Sequence, residues 1–199
     1  MSSSSPCKSA PETSPPPKDT MNRRLLLAAS AAASSALALV GCASPSIETY
    51  ATGKPVLDLQ QYFNGTLDAY GIFTDRSGAV VKRFTVVMQC SWQGDAGVLD
   101  EDFTYADGSV QKRIWHLNKL ADGRFSGRAD DVVGEALGES RGNAFHWAYT
   151  LSLPVNGKVY DVQFDDWMYL MTDKVMLNKA SMRKFGVHLG EVTLSFAKR

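Results

Sequence analysis

Histidine is scarce in this chain of 199 residues, with three, and cysteine equally so, at Cys7, Cys42 and Cys90. His116, His146 and His188 fall on separate segments. No Cys or His therefore has the close partner that zinc-ligand spacing requires, and the sequence calls for no metal. A surplus of charge is missing as well, since 21 Lys and Arg face 21 Asp and Glu. Four of those cations (Lys8, Lys18, Arg23, Arg24) and two of the anions (Glu12, Asp19) precede Cys42, leaving 17 basic against 19 acidic residues beyond it. That balance excludes nucleic acid as a partner, because a polyanion-binding face needs a basic excess. No motif calls for a cofactor. Long apolar runs are reduced to one, the 16 residues from Leu25 to Val40, rich in Ala and Ser. It is shorter than the roughly 20 strongly apolar residues of a permanent membrane span.

What is present at the front is an address. Met21 opens MNRRLLLAASAAASSALALVGC, in which two arginines, an apolar run and small residues before a cysteine give the layout of a cleaved signal peptide. Leu39-Val40-Gly41-Cys42 is similar to the lipobox of bacterial lipoproteins. That resemblance implies cleavage after Gly41 and acylation of Cys42, with two or three chains giving the stable anchorage that one does not. Ala43 stands where an Asp would imply retention at the inner membrane, so the expected location is the periplasm-facing side of a Gram-negative outer membrane. Arg23-Arg24 leaves both twin-arginine and general secretory export open. Residues 1–20, with Pro15-Pro16-Pro17 and much Ser, have the composition of an unfolded segment; they are a long n-region or lie upstream of a true start at Met21. The expected organisation is then extension (1–20), signal (21–41), lipidated cysteine with flexible tether (42–55) and one folded domain (56–199). Cys90 alone remains in that domain, so no intramolecular disulfide is available.

From Leu57 onward, short segments of β-branched and aromatic residues alternate with turn signals such as Asp75-Arg76-Ser77-Gly78, Asp107-Gly108, Asp122-Gly123 and Asn156-Gly157. No window of helical length carries a 3.6-residue apolar stripe. The pattern predicts about ten strands, near 64–73, 79–92, 98–105, 110–119, 124–130, 132–140, 144–153, 158–170, 174–183 and 190–198. Evenly spaced strands joined by hairpins predict an all-β antiparallel meander that closes into an up-and-down barrel, with a β-sandwich as the alternative. Polar strands such as VQKRIWH (110–116) do not fit a lipid-facing pore wall.

FNGTLDAYGIF (63–73) resembles the opening of lipocalin-like, calycin-type barrels, with Leu67 where that pattern carries Trp. The stretch 57–198, with LDEDFTYADG, GRADDVVGEALG, GNAFHWAYTL, FDDWMYL and KFGVHLGEVTLSF, resembles a bacterial family of inferred lipoproteins of unknown function. This implies one autonomous domain and imports no chemistry.

Two motifs fail on context. Gly138-Glu139-Ser140-Arg141-Gly142 fits G-x-S-x-G, but a nucleophile elbow needs a helix behind the serine, and NAFHWAYTLSL reads as a strand. Asp100-Glu101-Asp102 begins like a calcium loop, yet Tyr105 and Gln111 occupy the positions that need Gly and Glu. Strand periodicity carries more. In QFDDWMY (163–169) adjacent aspartates point to opposite faces, so only Asp166 shares the apolar face of Tyr160, Val162, Phe164, Met168 and Leu170. The same count places Glu101, Arg113 and Glu135 on apolar faces. Each such charge must be paired or face water in a cavity. An internal ion-pair set, for example Arg113 with Glu101 across the Asp107-Gly108 hairpin, would meet the first condition.

These four charges, with Trp92, Trp147, Tyr149, Phe164 and Met168, are the candidate interior and ligand-binding residues. An aromatic wall with a few convergent polar groups is how small-molecule sites are built. The first functional expectation is a non-catalytic, lipid-anchored barrel for a small amphipathic or lipidic ligand, with no catalytic residue. The alternatives are an envelope interaction module without a pocket and an enzyme acting through Glu101 and Asp166.

Overall fold

The computed structural model describes residues 45–155 and 157–199. The segments assigned to extension, signal, Gly41 cleavage and Cys42 acylation lie outside the described residues. Residues 45–199 form one compact unit.

Ten antiparallel strands follow in chain order: β1 (Gly65–Asp75), β2 (Val80–Gln93), β3 (Ala96–Tyr105), β4 (Val110–Lys119), β5 (Phe125–Arg128), β6 (Ala136–Arg141), β7 (Ala144–Val155), β8 (Lys158–Leu170), β9 (Val175–Lys184) and β10 (Val187–Lys198). Each pairs with its sequence neighbours, and β1 pairs with β10 to close the barrel. The expected meander is thus realised as a barrel, not a sandwich. Turn chemistry makes the hairpins local. Asp75 Oδ1 accepts from the amides of Ser77 (2.8 Å) and Ala79 (3.1 Å), Asp107 Oδ1 accepts from the Ser109 amide (2.9 Å), and Gly78 and Gly108 supply the positive φ that follows.

Closure removes sheet edges but leaves two ends, and the ends differ. A one-turn helix, α1 (Leu59–Tyr62), is capped by Asp58, whose carboxylate accepts from the Gln61 amide at 3.0 Å. It drives Leu59, Tyr62 and Phe63 into the end where β1 starts and β10 finishes. The Tyr62 hydroxyl donates to the Phe196 carbonyl (3.2 Å), and Trp92 Nε1 donates to the Phe63 carbonyl (2.7 Å). Behind this plug the inward side chains of Leu67, Met88, Trp115, Phe145 and Phe196 are all buried in one cluster.

The expected flexible tether is corrected from Ile47 onward. Residues Ile47–Tyr50 form a 3-10 turn that packs on the outer wall, with Ile47 buried against Ala144 and Trp167. The Leu57 amide donates to the Gly142 carbonyl at 2.8 Å, and Arg141 Nε bonds Glu48 at 2.8 Å. The segment is a strap. Pro45 and Gly53 supplied a linker-like composition, but Ile47, Tyr50 and Leu57 supplied enough apolar surface to dock it. Among the described residues no helix is long and apolar enough to cross a membrane.

Candidate functional site: the barrel interior and its mouth

Cross-strand partners share a face, so the register identifies every inward side chain. One row runs from Trp147 to Asp166, Ala180, Val192, Phe73 and Lys82. It begins mid-barrel and ends at a hairpin tip, the stagger that tilted strands impose. Of the candidate residues, Glu101, Arg113, Asp166, Trp147, Tyr149, Phe164 and Met168 face inward, and Trp92 packs against the plug.

Glu135 does not. It precedes β6, is partly exposed, and bonds Arg128 Nε at 3.3 Å. Its neighbours Val133 and Leu137 are about half exposed, so the alternation there marks the outer wall. Period-2 counting separates two faces without saying which is inside.

Asp166 is buried and enclosed by donors. Its Oδ2 accepts from the Tyr149 hydroxyl (2.9 Å) and Trp147 Nε1 (3.2 Å), and its Oδ1 accepts from Asn178 Nδ2. Burial raises its carboxyl above the ordinary range, against the lowering effect of these bonds. Asp165, on the outer face, meets His146 Nε2 at 2.6 Å and Trp167 Nε1 at 3.1 Å, with His146 stacked on the Trp167 ring. The fold places this histidine beside a carboxylate on the outer wall, by the strap. Ser140, the serine of the G-x-S-x-G match, lies in β6 and donates to the Ala144 carbonyl at 3.1 Å. It is followed by a hairpin, not a helix.

The expected pairing of Glu101 with Arg113 is half right. The two are register partners, yet the guanidinium bonds Asp131, through Nη2 at 2.6 Å and Nε at 3.1 Å. Glu101 is left buried against a void of about 30 Å³ shared with Met88, Trp115 and Phe145. That volume takes about one water molecule. Burial pushes the Glu101 carboxyl up to about 7; Arg113 opposes the shift, while Asp131, Asp166 and Asp100 add to it. Among the described residues no group of three His, Cys, Asp or Glu is placed to hold a metal ion.

The opposite end is built differently. Phe73, Phe84, Phe103, Tyr105 and Tyr160 point inward near the β1–β2, β3–β4, β7–β8 and β9–β10 tips, and all are only partly buried. Phe84, Phe103 and Tyr105 contact one another as one aromatic wall. Cations lie on these rings: Lys82 over Tyr105 (5.0 Å), Arg113 over Phe103 (5.5 Å) and Lys184 over Tyr160 (4.6 Å). Arg113 has Asp131, but Lys82 and Lys184 form no ion pair among the described residues. Asp107 stands near enough to Lys82 to feel its charge, yet its carboxylate is held by Ser109. Beside this wall a cleft of about 280 Å³ runs between Val80–Arg83 and Tyr105–Asp107. The candidate lining, Trp92, Trp147, Tyr149, Phe164 and Met168, includes none of these mouth rings, and neither lysine is among the sequence candidates; both sit at strand ends where inward and tip positions merge.

Residues 36–198 match a family described as a protein of unknown function, DUF3833. The chain belongs to that family. No curated protein matches it. In this DUF3833 chain the matched span takes in the strap, the plug and the barrel to within one residue of its C-terminus.

Proposed function

We propose that the protein is a non-catalytic envelope lipoprotein, held at the outer membrane by acyl chains on Cys42, whose barrel binds a small amphipathic anion at its open mouth. The observation that carries the ligand class is the pair Lys82 and Lys184. Both face inward, both lie on aromatic rings, and neither is neutralised by an ion pair among the described residues. An apolar body against Phe84, Phe103 and Tyr160 with its charged group at the lysines satisfies both halves of such a site. The mouth is favoured over the plugged half because the void beside Glu101 there, about 30 Å³, takes about one water. Anchorage is supported by the n-region, apolar run and Leu39-Val40-Gly41-Cys42.

Titration with anilinonaphthalene sulfonate, competed by oleate, tests the ligand. Saturable binding, weakened tenfold or more in Lys82→Gln/Lys184→Gln, is expected; absent or unchanged binding overturns it. Metabolic labelling with palmitate tests the anchor, and label must vanish in Cys42→Ser. The packed, plugged half favours a second reading, an interaction module without a ligand, and that reading predicts no saturable binding at all.

A further inference from the structure

The hairpin tips around the mouth carry a second surface. Val80, Val110, Val155, Val159, Phe185 and Val187 are each about half to nine-tenths exposed there. Phe185 is the extreme, 89 % exposed and at φ 49° in the β9–β10 turn, followed by Gly186 at φ 76°. Two-residue turns of this kind normally take Asn or Gly. A phenylalanine there strains the backbone and leaves its ring in solvent apart from the Lys184 ammonium 5.0 Å from its centroid, so it adds little to the packing of the barrel. Among the described residues the opposite end exposes Val56 and Met171 but no such ring.

Charge at these tips has a modest positive excess. Arg76, Lys82, Arg83, Lys158, Arg183 and Lys184 form no ion pair among the described residues. Of the nearby carboxylates, Asp131 and Glu135 pair with Arg113 and Arg128, whereas Asp75, Asp107 and Asp161 are hydrogen-bonded by serines and, with Asp130, keep their negative charge, so the six cations are in excess by two. Exposed apolar tips interspersed with unpaired cations suit a headgroup layer, where side chains enter the acyl boundary and cations meet anionic lipid.

We infer that the mouth end of the barrel docks on an anionic lipid bilayer, with Phe185 and the valine tips inserted and the six cations at headgroup level. This rests on the exposed tips; Lys82 and Lys184 are shared with the mouth site, so the variants that test docking lie outside that pair. Docking would set the mouth at the depth where an amphipathic anion leaves the membrane.

The test is cosedimentation of residues 45–199, a unit that carries its own plug, core and all strand pairings, with vesicles of phosphatidylcholine alone or mixed with phosphatidylglycerol. Omitting Cys42 removes any acyl contribution. Binding to the mixed vesicles that falls with added salt is expected, with little to phosphatidylcholine alone. Arg76→Gln, Lys158→Gln and Arg183→Gln, all outside the mouth's ring contacts, should each weaken it about fivefold. Phe185→Ser should weaken it tenfold or more and Phe185→Trp restore it. Equal binding to both vesicles, no binding to either, or a Phe185→Ser variant that binds as the parent does overturns the inference. Loss of anilinonaphthalene sulfonate binding with vesicle binding intact sinks only the mouth reading.

Discussion

Glu101 and Arg113 stand directly opposite each other across the β3–β4 ladder, yet the guanidinium turns to Asp131. The fork geometry decides this: Asp131 accepts from Nε and Nη2 together, which suits a planar guanidinium. Glu101 is left as a buried carboxyl that feels a cation without bonding it.

Stability should therefore fall as pH rises through the neutral range. Burial lifts the Glu101 carboxyl from its ordinary 4.5 to about 7, so between those values the folded protein holds a proton that the unfolded chain has released. The stabilisation is full below the unfolded value and lost as pH climbs through the folded one, on the order of 3 kcal/mol in all. Asp166, also raised, contributes with the same sign at its own range. Urea unfolding at pH 5 and pH 8 should show the drop in the parent and a much smaller one in Glu101→Gln. A parent with equal stability at both values refutes the assignment.

Asp166→Ala should be among the costliest single changes in the barrel. It strips the acceptor from Trp147 Nε1, the Tyr149 hydroxyl and Asn178 Nδ2 at once. At about 1–3 kcal/mol per buried donor left unmet, a loss of roughly 3–5 kcal/mol is expected. Asp166→Asn keeps the volume and one acceptor and should cost less. Denaturant midpoints of the two variants settle it; an alanine variant within about 1 kcal/mol of the parent means that the donors find other partners.

The ten strands were legible because hairpins are local events, written in Asp-Gly turns and period-2 alternation. Asp166 was legible for the same reason, since adjacent strand residues take opposite faces. The Arg113–Asp131 pair was not, because Asp131 lies in the loop between β5 and β6 and reaches Arg113 only once the sheet has curved. Glu135 shows the limit of alternation, which the outer wall satisfies as well as the inner. The strap hid behind Pro45, Gly53 and Pro55, although Ile47, Tyr50 and Leu57 were the signal that it docks. Which end of the barrel is plugged depends on α1, four residues too short to register as a helical stripe.

Gly142→Ala should release the strap without opening the barrel. A Cβ there would stand 1.9 Å from the Tyr50 carbonyl oxygen and 2.8 Å from the Gly53 nitrogen, both backbone, and φ is already 53°. Neither atom can rotate away, so the strap must move. Hydrogen exchange should speed up at the Gly53 and Leu57 amides, which donate within and from the strap, while the β7–β8 amides keep their protection. Unchanged protection at Leu57 would show the strap to be held from elsewhere, by Ile47 or by the Arg141–Glu48 pair.

Gly71→Ala separates a working mouth from a merely structural one. Gly71 pairs with Phe84, whose ring lies across it, and an added Cβ would meet the ring at 2.4 Å. The colliding atoms are the far end of a partly buried side chain at an open end, so the ring can swing outward at a modest cost, within the roughly 1–3 kcal/mol typical of overpacking. That swing breaks the wall formed with Phe103 and Tyr105, 5.7 Å away in each case, against which Lys82 is held. Binding of anilinonaphthalene sulfonate should therefore drop several-fold while the urea midpoint moves little. If the midpoint falls and binding does not, the aromatic wall serves packing alone and the lysines lie idle over it.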